Sequence, residues 1–253
     1  MKSVVVGSGG REHALAHVLG RDSDVTVTPG NPGIPNSTTQ SPLNIDADLF
    51  VIGPEAPLVD GLADQLRAQG KTVFGPGVDG AQLEGSKAWM KDLLVEANVP
   101  TAKHGTFTNE DEAIAFLSDM PLPYVIKTDG LAAGKGVIVT ESVNEAKDAI
   151  KNYLSGDAFG DAGKTVVIEE GLIGNEISIL AICDGTKAVP LAPAQDYKRL
   201  LNDDEGPNTG GMGAYSPIPS VSEDFVTQIM EEAVQPTLLS LIHISEPTRP
   251  SSI

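Results

Sequence analysis

The sequence is poor in cysteine, in positive charge and in long apolar segments. A single cysteine, Cys183, cannot form an intramolecular disulfide or a zinc site built from cysteines. The 17 Lys and Arg residues face 35 Asp and Glu residues, so the formal net charge is −18. This balance argues against nucleic acid as the main partner, because binding to nucleic acid places Lys and Arg against phosphates. No apolar run approaches the roughly 18 residues of a membrane-spanning helix, and a strand-like segment follows Met1 directly. We therefore expect a cytoplasmic protein with no membrane partner, in which Cys183 is buried among apolar neighbours.

Short β-branched segments alternate with longer amphipathic ones, which is typical of α/β proteins. We predict helices at 110–118, 143–154 and about 86–97. The first two begin with pairs spaced like a capping box, Thr108 with Asp111 and Ser142 with Glu145. Turn residues at 75–80 predict that a first unit ends near residue 75. The predicted strands are 3–6, 25–28, 49–52, 71–74, 124–127, 137–140, 165–168 and 177–182.

A glycine turn follows the first predicted strand. Gly7, Gly9 and Gly10 precede a helix start, where free backbone N–H groups attract phosphate. The dinucleotide fingerprint requires a glycine where Glu12 stands, so the turn does not predict a nicotinamide or flavin site. Two interpretations remain equally open: a site in which Arg11 pairs with a single phosphate, or a tight turn without a ligand.

A second glycine-rich segment lies between two predicted strands. Gly130, Gly134 and Gly136 would let a hairpin tip move and approach a polyphosphate. The spacing is not that of a Walker loop, because three residues separate the first two glycines and a glycine follows Lys135. Lys127 ends the preceding apolar strand and suits a phosphate contact, whereas an isolated strand-end lysine would merely extend to solvent.

Three other segments carry polar groups after predicted strands. Glu169, Glu170 and Glu176 lie in 166–178, although solvated carboxylates are the favoured interpretation of that segment alone. The segment 205–215 predicts an irregular polar loop, either a binding loop or a surface loop. The run 53–58 follows a strand end, where open α/β sheets bind ligands.

The histidines do not predict a metal site. His13 and His17 are four residues apart, but the glutamate that follows the first histidine of a helical zinc motif is replaced by Ala14. We interpret this pair as ordinary helix residues.

Taken together, these segments resemble the phosphoribosylamine–glycine ligase family, ATP-grasp enzymes of purine biosynthesis. The resemblance runs from Met1 to about Leu238. It rests on five strings in the family's order: GGREHALA (9–16), GPEAPL (53–58), AQLEGSKA (81–88), IKTDGLAAGKGV (126–137) and GPNTGGMGAYSP (206–217).

The resemblance implies an α/β fold, with a Rossmann-like N-terminal domain at 1–75 followed by a partial ATP-grasp domain at 76–239. A small lid subdomain would occupy about 103–169. The implied reaction joins glycine to 5-phosphoribosylamine through a glycyl phosphate, converting ATP to ADP and phosphate. The implied cofactors are ATP and Mg²⁺, with Mn²⁺ as a possible replacement.

The resemblance also implies roles for individual residues. Lys87 and Lys127 would contact the ATP phosphates, the 130–136 loop would close over them, and residues 169–172 and Glu176 would hold the adenosine. The implied ATP-binding residues are Lys87, Lys127, Gly130, Leu131, Ala132, Ala133, Gly134, Lys135, Gly136, Glu169, Glu170, Leu172 and Glu176. The implied substrate-binding residues are Gly9, Gly10, Arg11, Glu12, Glu55, Pro57, Leu58, Asp196, Lys198, Arg199, Asn208, Thr209, Gly210, Gly211, Met212 and Gly213.

The chain departs from the family pattern in three places. The segment between the strands at 25–28 and 49–52 lacks the helix that the family carries, so we expect a loop there and a first unit short of one covering element. The family continues past residue 240 with the residues that hold Mg²⁺, so we assign no metal ligand here and expect this polypeptide to be inactive alone. The tail 240–253 resembles translated adapter sequence, and we expect it to be disordered.

Two alternatives remain from the sequence. One is another ATP-grasp ligase acting on a different acid, which the strings at 196–199 and 206–213 disfavour. The other is a non-catalytic fragment that binds ATP.

Overall fold

A computed structural model of the chain describes residues 1–131, 136–156 and 163–245. The chain divides into two compact units, Met1–Gly85 and Ser86–Ile253. The division therefore comes after the boundary predicted at residue 75. The reason is that the helix Val78–Gly85 belongs to the first unit, where the Val78 N–H donates to the Asp64 carboxylate at 2.8 Å.

The first unit is a parallel sheet covered on both faces. Its strands are β1 (Lys2–Gly7), β2 (Asp24–Pro29), β3 (Leu49–Ile52) and β4 (Val73–Phe74), in the order β2–β1–β3–β4. All the pairings are parallel, and three successive β1 residues, Val4, Val5 and Val6, are buried, as expected for strands covered on both sides. This arrangement confirms the α/β, Rossmann-like architecture.

Helices lie on opposite faces of this sheet. Helix α1 (Gly10–Leu19) packs on the face of Val5 and Val27, and α3 (Leu62–Ala68) packs on the face of Val4 and Phe50. Helices α2 (Glu55–Val59) and α4 (Val78–Gly85) precede and follow α3 in the chain. Because the connections after β1 and β3 leave on opposite sides, the carboxyl ends of these two strands form a crevice of the kind that binds ligands.

The connection from β2 to β3 is an irregular segment, as expected. All of 30–48 is described, and within it only Pro42–Asn44 forms a 3-10 turn, with no α-helix. The expectation of a missing covering element is wrong. Leu43, Ile45 and Ala47 pack on the α3 face, and Ile34 is buried on the α1 face, so the segment covers the sheet with its own side chains.

The second unit contains an antiparallel sheet with two helices on one face. The strands are β5 (His104–Phe107), β6 (Tyr124–Thr128), β7 (Val137–Thr140) and β8 (Val166–Glu170), in the order β5–β8–β6–β7. Helices α6 (Glu110–Phe116) and α7 (Val143–Leu154) bury Ile126, Ile150 and Ile168 against this sheet. Because side chains alternate along a strand, Lys127 on β6 and Glu169 on β8 belong to the opposite face.

Helix α5 (Lys87–Glu96) opens the second unit. Two antiparallel hairpins follow the four-stranded sheet: β9 (Ala181–Cys183) with β10 (Ala188–Pro190), and β11 (Gln195–Leu201) with β12 (Glu205–Tyr215). Helix α8 (Glu223–Ile229) leads through a π-helical turn into α9 (Gln235–Ser245). None of the helices within the described ranges is long and apolar enough to cross a membrane.

Several local predictions are confirmed and one cap is corrected. The strand at 137–140 and the helix at 143–154 have the predicted bounds, and the Ser142 hydroxyl accepts from the Glu145 N–H at 3.3 Å. Helix α6 is capped instead by Asn109, whose side chain accepts from the Glu112 N–H at 3.1 Å, and not by Thr108. The actual cap lies one residue later than predicted, because asparagine is preferred over threonine at the N-cap position.

The segment 205–215 is a strand and not the predicted irregular loop. It pairs with β11 along its length, with register shifts between Tyr197 and Leu201. Gly206, Gly211 and Gly213 adopt positive φ, so the strand bends where a regular strand could not. The sequence did not predict this strand, because its four glycines leave no alternation of apolar and polar side chains.

The strand at 177–182 and the burial of Cys183 are also corrected. Only Ala181–Cys183 forms a strand, with an isolated bridge at Ser178. Cys183 is exposed, because the two-stranded sheet β9–β10 leaves one side of each strand uncovered.

The C-terminal segment is more ordered than expected. Helix α9 continues through Ser245, so disorder from residue 240 is wrong for 240–245. The buried Leu238 anchors this helix, and extending an established helix costs little. The rest of the predicted tail, 246–253, lies outside the described residues.

Candidate functional site

The first cluster of predicted site residues is the turn between β1 and α1. The Glu12 carboxylate is buried here, with a residue exposure of 3%. Its Oε2 accepts the Gly9 N–H at 2.6 Å, and its Oε1 accepts the Arg11 Nε–H at 3.2 Å. Glu55, at the start of α2, accepts from both terminal nitrogens of Arg11 at 3.2 Å. The strings at 9–16 and 53–58 therefore meet at the carboxyl ends of β1 and β3.

The glycines of this crevice make room for Glu12. A Cβ on Gly53 would lie 2.1 Å from Glu12 Oε1, and one on Gly7, at φ +131°, would lie 2.5 Å from Glu12 Cγ. Burial acts to lower the pKa of Arg11, but the Glu12 and Glu55 carboxylates raise it above its ordinary value. Gly10 begins α1, and Pro57 and Leu58 lie in α2, where Leu58 also packs on the core. The crevice thus offers a half-exposed guanidinium beside a buried carboxylate.

The second cluster surrounds Glu169 on β8. Lys127 on β6 places its Nζ 2.9 Å from Glu169 Oε1, and Lys91 on α5 places its Nζ 3.0 Å from Oε2. The Glu169 side chain is 7% exposed, so this carboxylate is held between two cations away from solvent. Burial acts to raise the pKa of Glu169, but Lys127 and then Lys91 outweigh it, and the pKa lies below its ordinary value. Glu169 is therefore ionised at neutral pH.

Glu170 and Lys87 have backbone partners. The Glu170 carboxylate accepts from the Lys103 N–H at 2.8 Å, and Lys87 donates from Nζ to the Gly130 carbonyl at 2.7 Å. The Asp129 carboxylate accepts from the Ser86 hydroxyl at 3.0 Å and from the Ala88 N–H at 3.2 Å. The glycine segment after β6 is thus tied at its first residues to the N-terminus of α5.

The structure describes only part of the predicted phosphate-binding loop. Gly130 takes a positive φ, Leu131 is exposed, and the Gly136 carbonyl accepts the Thr128 N–H at 2.9 Å. Four predicted loop residues, Ala132, Ala133, Gly134 and Lys135, lie outside the described residues.

Six of the remaining predicted residues of the second unit line one cleft of about 1290 Å³. Val125 and Val139 of the sheet contribute to it, as do the segment after β8 and the β11–β12 hairpin. The predicted site residues that line it are Leu172, Glu176, Asp196, Lys198, Arg199 and Met212. Residues assigned to ATP and residues assigned to substrate thus share a single cavity.

Charge pairs run along this cleft. Lys198 forms an ion pair with Glu176 and approaches Asp196 at 3.6 Å. The Glu176 carboxylate raises the pKa of Lys198 above its ordinary value, more than burial lowers it. Arg199 donates to the Gly206 carbonyl at 2.6 Å, and the Thr209 hydroxyl donates to the Lys198 carbonyl at 2.9 Å. Asn208, Gly210, Gly211 and Gly213 belong to β12, opposite β11.

Sequence reasoning missed Lys91 and Asp129. Lys91 is 4% exposed, although it lies within an amphipathic helix where a lysine normally faces solvent. Its spacing of four residues from Lys87 was the available signal, because residues i and i+4 lie on one side of a helix. Asp129 lay inside the glycine-rich string but was not assigned a role.

No group of three or more His, Cys, Asp and Glu residues that could hold a metal ion occurs in the described part of the chain. The two histidines of the N-terminal region, His13 and His17, lie in α1. We therefore assign no metal ligand among the described residues.

Known proteins match this chain along its length. The model of the phosphoribosylglycinamide synthetase N domain matches residues 1–84, and that of the phosphoribosylglycinamide synthetase ATP-grasp (A) domain matches residues 85–247. The second match extends into 240–253, which the sequence analysis treated as foreign to the family.

Individual relatives agree with these matches. The phosphoribosylamine–glycine ligase of Xylella fastidiosa is 48% identical over 260 residues, covering 96% of this chain and 60% of that protein. The crystal structure of the Thermotoga maritima ligase superposes with a TM-score of 0.84 at 32% identity, over 97% of this chain and 62% of that one.

A biotin carboxylase from Campylobacter jejuni superposes with a TM-score of 0.68 at 17% identity, over 96% of this chain and 59% of that one. At this identity the likeness shows a shared fold alone. The chain spans about 60% of the length of the curated relatives that it matches. The two domain matches account for residues 1–247, and on this ground the chain belongs to the phosphoribosylglycinamide synthetase family.

Proposed function

We propose that this chain contributes to the ATP-dependent ligation of glycine to 5-phosphoribosylamine, which yields glycinamide ribonucleotide, ADP and phosphate in purine biosynthesis. The observation that carries the proposal is the cleft of the second unit. Leu172 and Glu176, assigned to ATP, share it with Asp196, Lys198 and Arg199, assigned to the acceptors. A ligase of this kind needs the γ-phosphate and the acceptor carboxylate together, and a shared cavity meets that need.

The nucleotide would lie against the strand face that carries Val125 and Lys127. Lys127, with a side chain 26% exposed, supplies a cation for the phosphates. Leu172, 76% exposed, supplies apolar surface for the base, and the Glu176 carboxylate can accept from ribose hydroxyls. Lys87 would act at the start of the glycine loop, where it already contacts the Gly130 carbonyl.

Phosphoribosylamine would bind in the crevice of the first unit. Arg11 offers a guanidinium with a side chain 56% exposed, suited to its phosphate, beside the N-terminus of α1. The buried Glu12 carboxylate stands beside it and would accept from an amine or a hydroxyl. Pro57 and Leu58 would form the apolar side of the crevice.

The reaction consists of two substitutions. The glycine carboxylate oxygen attacks the γ-phosphorus, the bond to the β-phosphate oxygen breaks, and ADP leaves. The phosphoribosylamine nitrogen then attacks the glycyl carbonyl carbon, an amide forms, and inorganic phosphate leaves while the nitrogen loses a proton. No protein nucleophile takes part, so cations such as Lys127 and Lys198 bind and orient anionic groups. Mg²⁺, when bound, would shield the phosphates in such chemistry.

Two measurements test the proposal. Calorimetry of the 253-residue chain with ATP should give saturable binding that Lys127→Met weakens and Lys151→Met does not, since Lys151 forms an exposed pair with Glu110 at 3.8 Å. A chain of the relatives' length should release ADP over repeated turnovers only when glycine and phosphoribosylamine are both present. The absence of ATP binding would contradict the assignment of the cleft.

The second candidate function is that of a binding module that holds ATP without turnover. The observation behind this candidate is the cleft itself, because its contacts for ATP at Leu172 and Glu176 do not require a second substrate. Equal ATP affinity in this chain and in the longer one, with no ADP release from either, would support it. A dependence of ADP release on an acid other than glycine would indicate a different ATP-grasp ligase.

A further inference from the structure

We propose that Lys91 is a positioning residue for ATP binding, which neutralises the buried Glu169 and thereby releases Lys127 to contact the phosphates. The inference rests on the proposed function, because it assumes that Lys127 meets a nucleotide. It assigns a role to a lysine that lies outside the five strings on which the family resemblance rests.

The two lysines occupy opposite sides of one carboxylate. Lys91 approaches Glu169 Oε2 at 3.0 Å, and Lys127 approaches Oε1 at 2.9 Å. The Lys91 side chain is 5% exposed, and its Nζ also donates to the Thr101 hydroxyl at 2.7 Å. The Lys127 side chain is 26% exposed. Lys91 is thus fixed beneath the carboxylate, whereas Lys127 reaches solvent and can turn towards a ligand.

The charges of the cluster favour an incoming anion. One carboxylate between two ammonium groups leaves a net positive charge in a nearly buried place. If Lys127 moves to a phosphate, Glu169 keeps Lys91 as its partner and no buried charge is left unpaired. Without Lys91 the same movement would leave the buried Glu169 carboxylate without a charged partner, which is strongly unfavourable.

The contact that must break is the ion pair of the more exposed of the two lysines. Glu169 Oε1 has no aligned hydrogen-bond donor within the described residues, although Lys127 Nζ lies 2.9 Å away. Lys127 gives up this ion pair with Glu169 when it leaves. A phosphate offers it a stronger acceptor and a larger charge.

The test compares ATP with adenosine, which has the same base and ribose but no phosphate. Calorimetry is carried out on the 253-residue chain as wild type, Lys91→Met, and the double variant Lys91→Met with Glu169→Gln. Lys151→Met serves as the control, since its lysine pairs with Glu110 on the surface. Trp89 fluorescence during urea unfolding verifies that each variant is folded at the temperature of the titration.

We expect Lys91→Met to weaken ATP binding by about tenfold, a coupling usual for residues in direct contact. The affinity for adenosine should stay the same, because Lys127 is assigned to the phosphates and not to the base or the ribose. The double variant should bind ATP more tightly than Lys91→Met alone, because the uncharged amide that Glu169→Gln introduces no longer retains Lys127.

Each other outcome has a definite meaning. Equal losses for ATP and adenosine, with no recovery in the double variant, would show a structural role for Lys91 and overturn the inference. An unchanged ATP affinity in Lys91→Met would overturn it as well, while leaving the proposed function intact. No ATP binding by the wild type would overturn the proposed function together with this inference.

Discussion

We expect the buried carboxylate of Glu169 to contribute to the stability of the second unit as well. Replacing it by glutamine keeps the shape of the side chain and removes the charge that two lysines face. Lys91 would then be left in a site where its side chain is 5% exposed, with the Thr101 hydroxyl as a neutral partner. Lys127, at 26% exposure, could turn to solvent. Glu169→Gln therefore leaves one buried cation, Lys91, without a charged partner, and not two.

Breaking a buried ion pair by removing one partner costs about 3–5 kcal/mol. The remaining hydrogen bond to Thr101 and the freedom of Lys127 place this case at the lower end, so we expect a loss of about 3 kcal/mol at pH 7. The loss should depend on pH in one direction. Because the pKa of Glu169 in the folded chain lies below its ordinary value of 4.5, the charged carboxylate stabilises the fold above that value. This stability disappears as the pH falls through the lowered pKa.

The assay is urea unfolding followed by the fluorescence of Trp89, the one tryptophan of the sequence, which lies on α5 beside the cluster. The difference between wild type and Glu169→Gln should be largest at neutral pH and shrink below about pH 4.5. Glu110→Gln is the control, because its pair with Lys151 is exposed and should change stability by less than about 0.5 kcal/mol. A loss below about 1 kcal/mol at pH 7, or a difference that does not change with pH, would refute the reasoning.

Three further predictions concern packing, capping and the free thiol. Gly53→Ala should lower the free energy of unfolding of the first unit by about 1–3 kcal/mol, because the new methyl would lie 2.1 Å from the buried Glu12 Oε1. Unfolding followed by circular dichroism measures this loss. Gly10→Ala, which has no neighbour within 4 Å, should leave stability unchanged or raise it, and equal effects would contradict the packing argument. Asn109→Ala should cost about 1 kcal/mol in urea unfolding and Thr108→Ala less than about 0.5, the reverse of the order that the sequence suggested. Cys183 should react with an aromatic disulfide in the folded chain at a rate that rises into the alkaline range, because partial burial and then Asp184 raise the pKa of its thiol; protection of the thiol until unfolding would contradict its exposure.

Local patterns in the sequence were enough for the regular elements. The strands at 49–52 and 137–140 and the helix at 143–154 have their predicted bounds, because apolar periodicity and end signals act within a few residues. Prediction failed for 205–215, where glycines replaced the alternating side chains and the strand exists only through its pairing with β11. Pairing between two strands cannot be predicted from the residues of one short segment.

The sequence alone determined the family strings, the α/β class and the glycine turns near candidate cations. Tertiary structure alone decided which charges meet. Glu169 in its segment alone was interpreted as a solvated carboxylate and Lys91 had no assigned role, yet strand register and the packing of α5 place them 3.0 Å apart in a nearly buried site. In the same way, the parallel pairing of β1 with β3 brings Glu55 to Arg11. Periodicity is a property of neighbouring residues, whereas the partner of a buried charge is set by elements far apart in the chain, and only the folded chain brings these together.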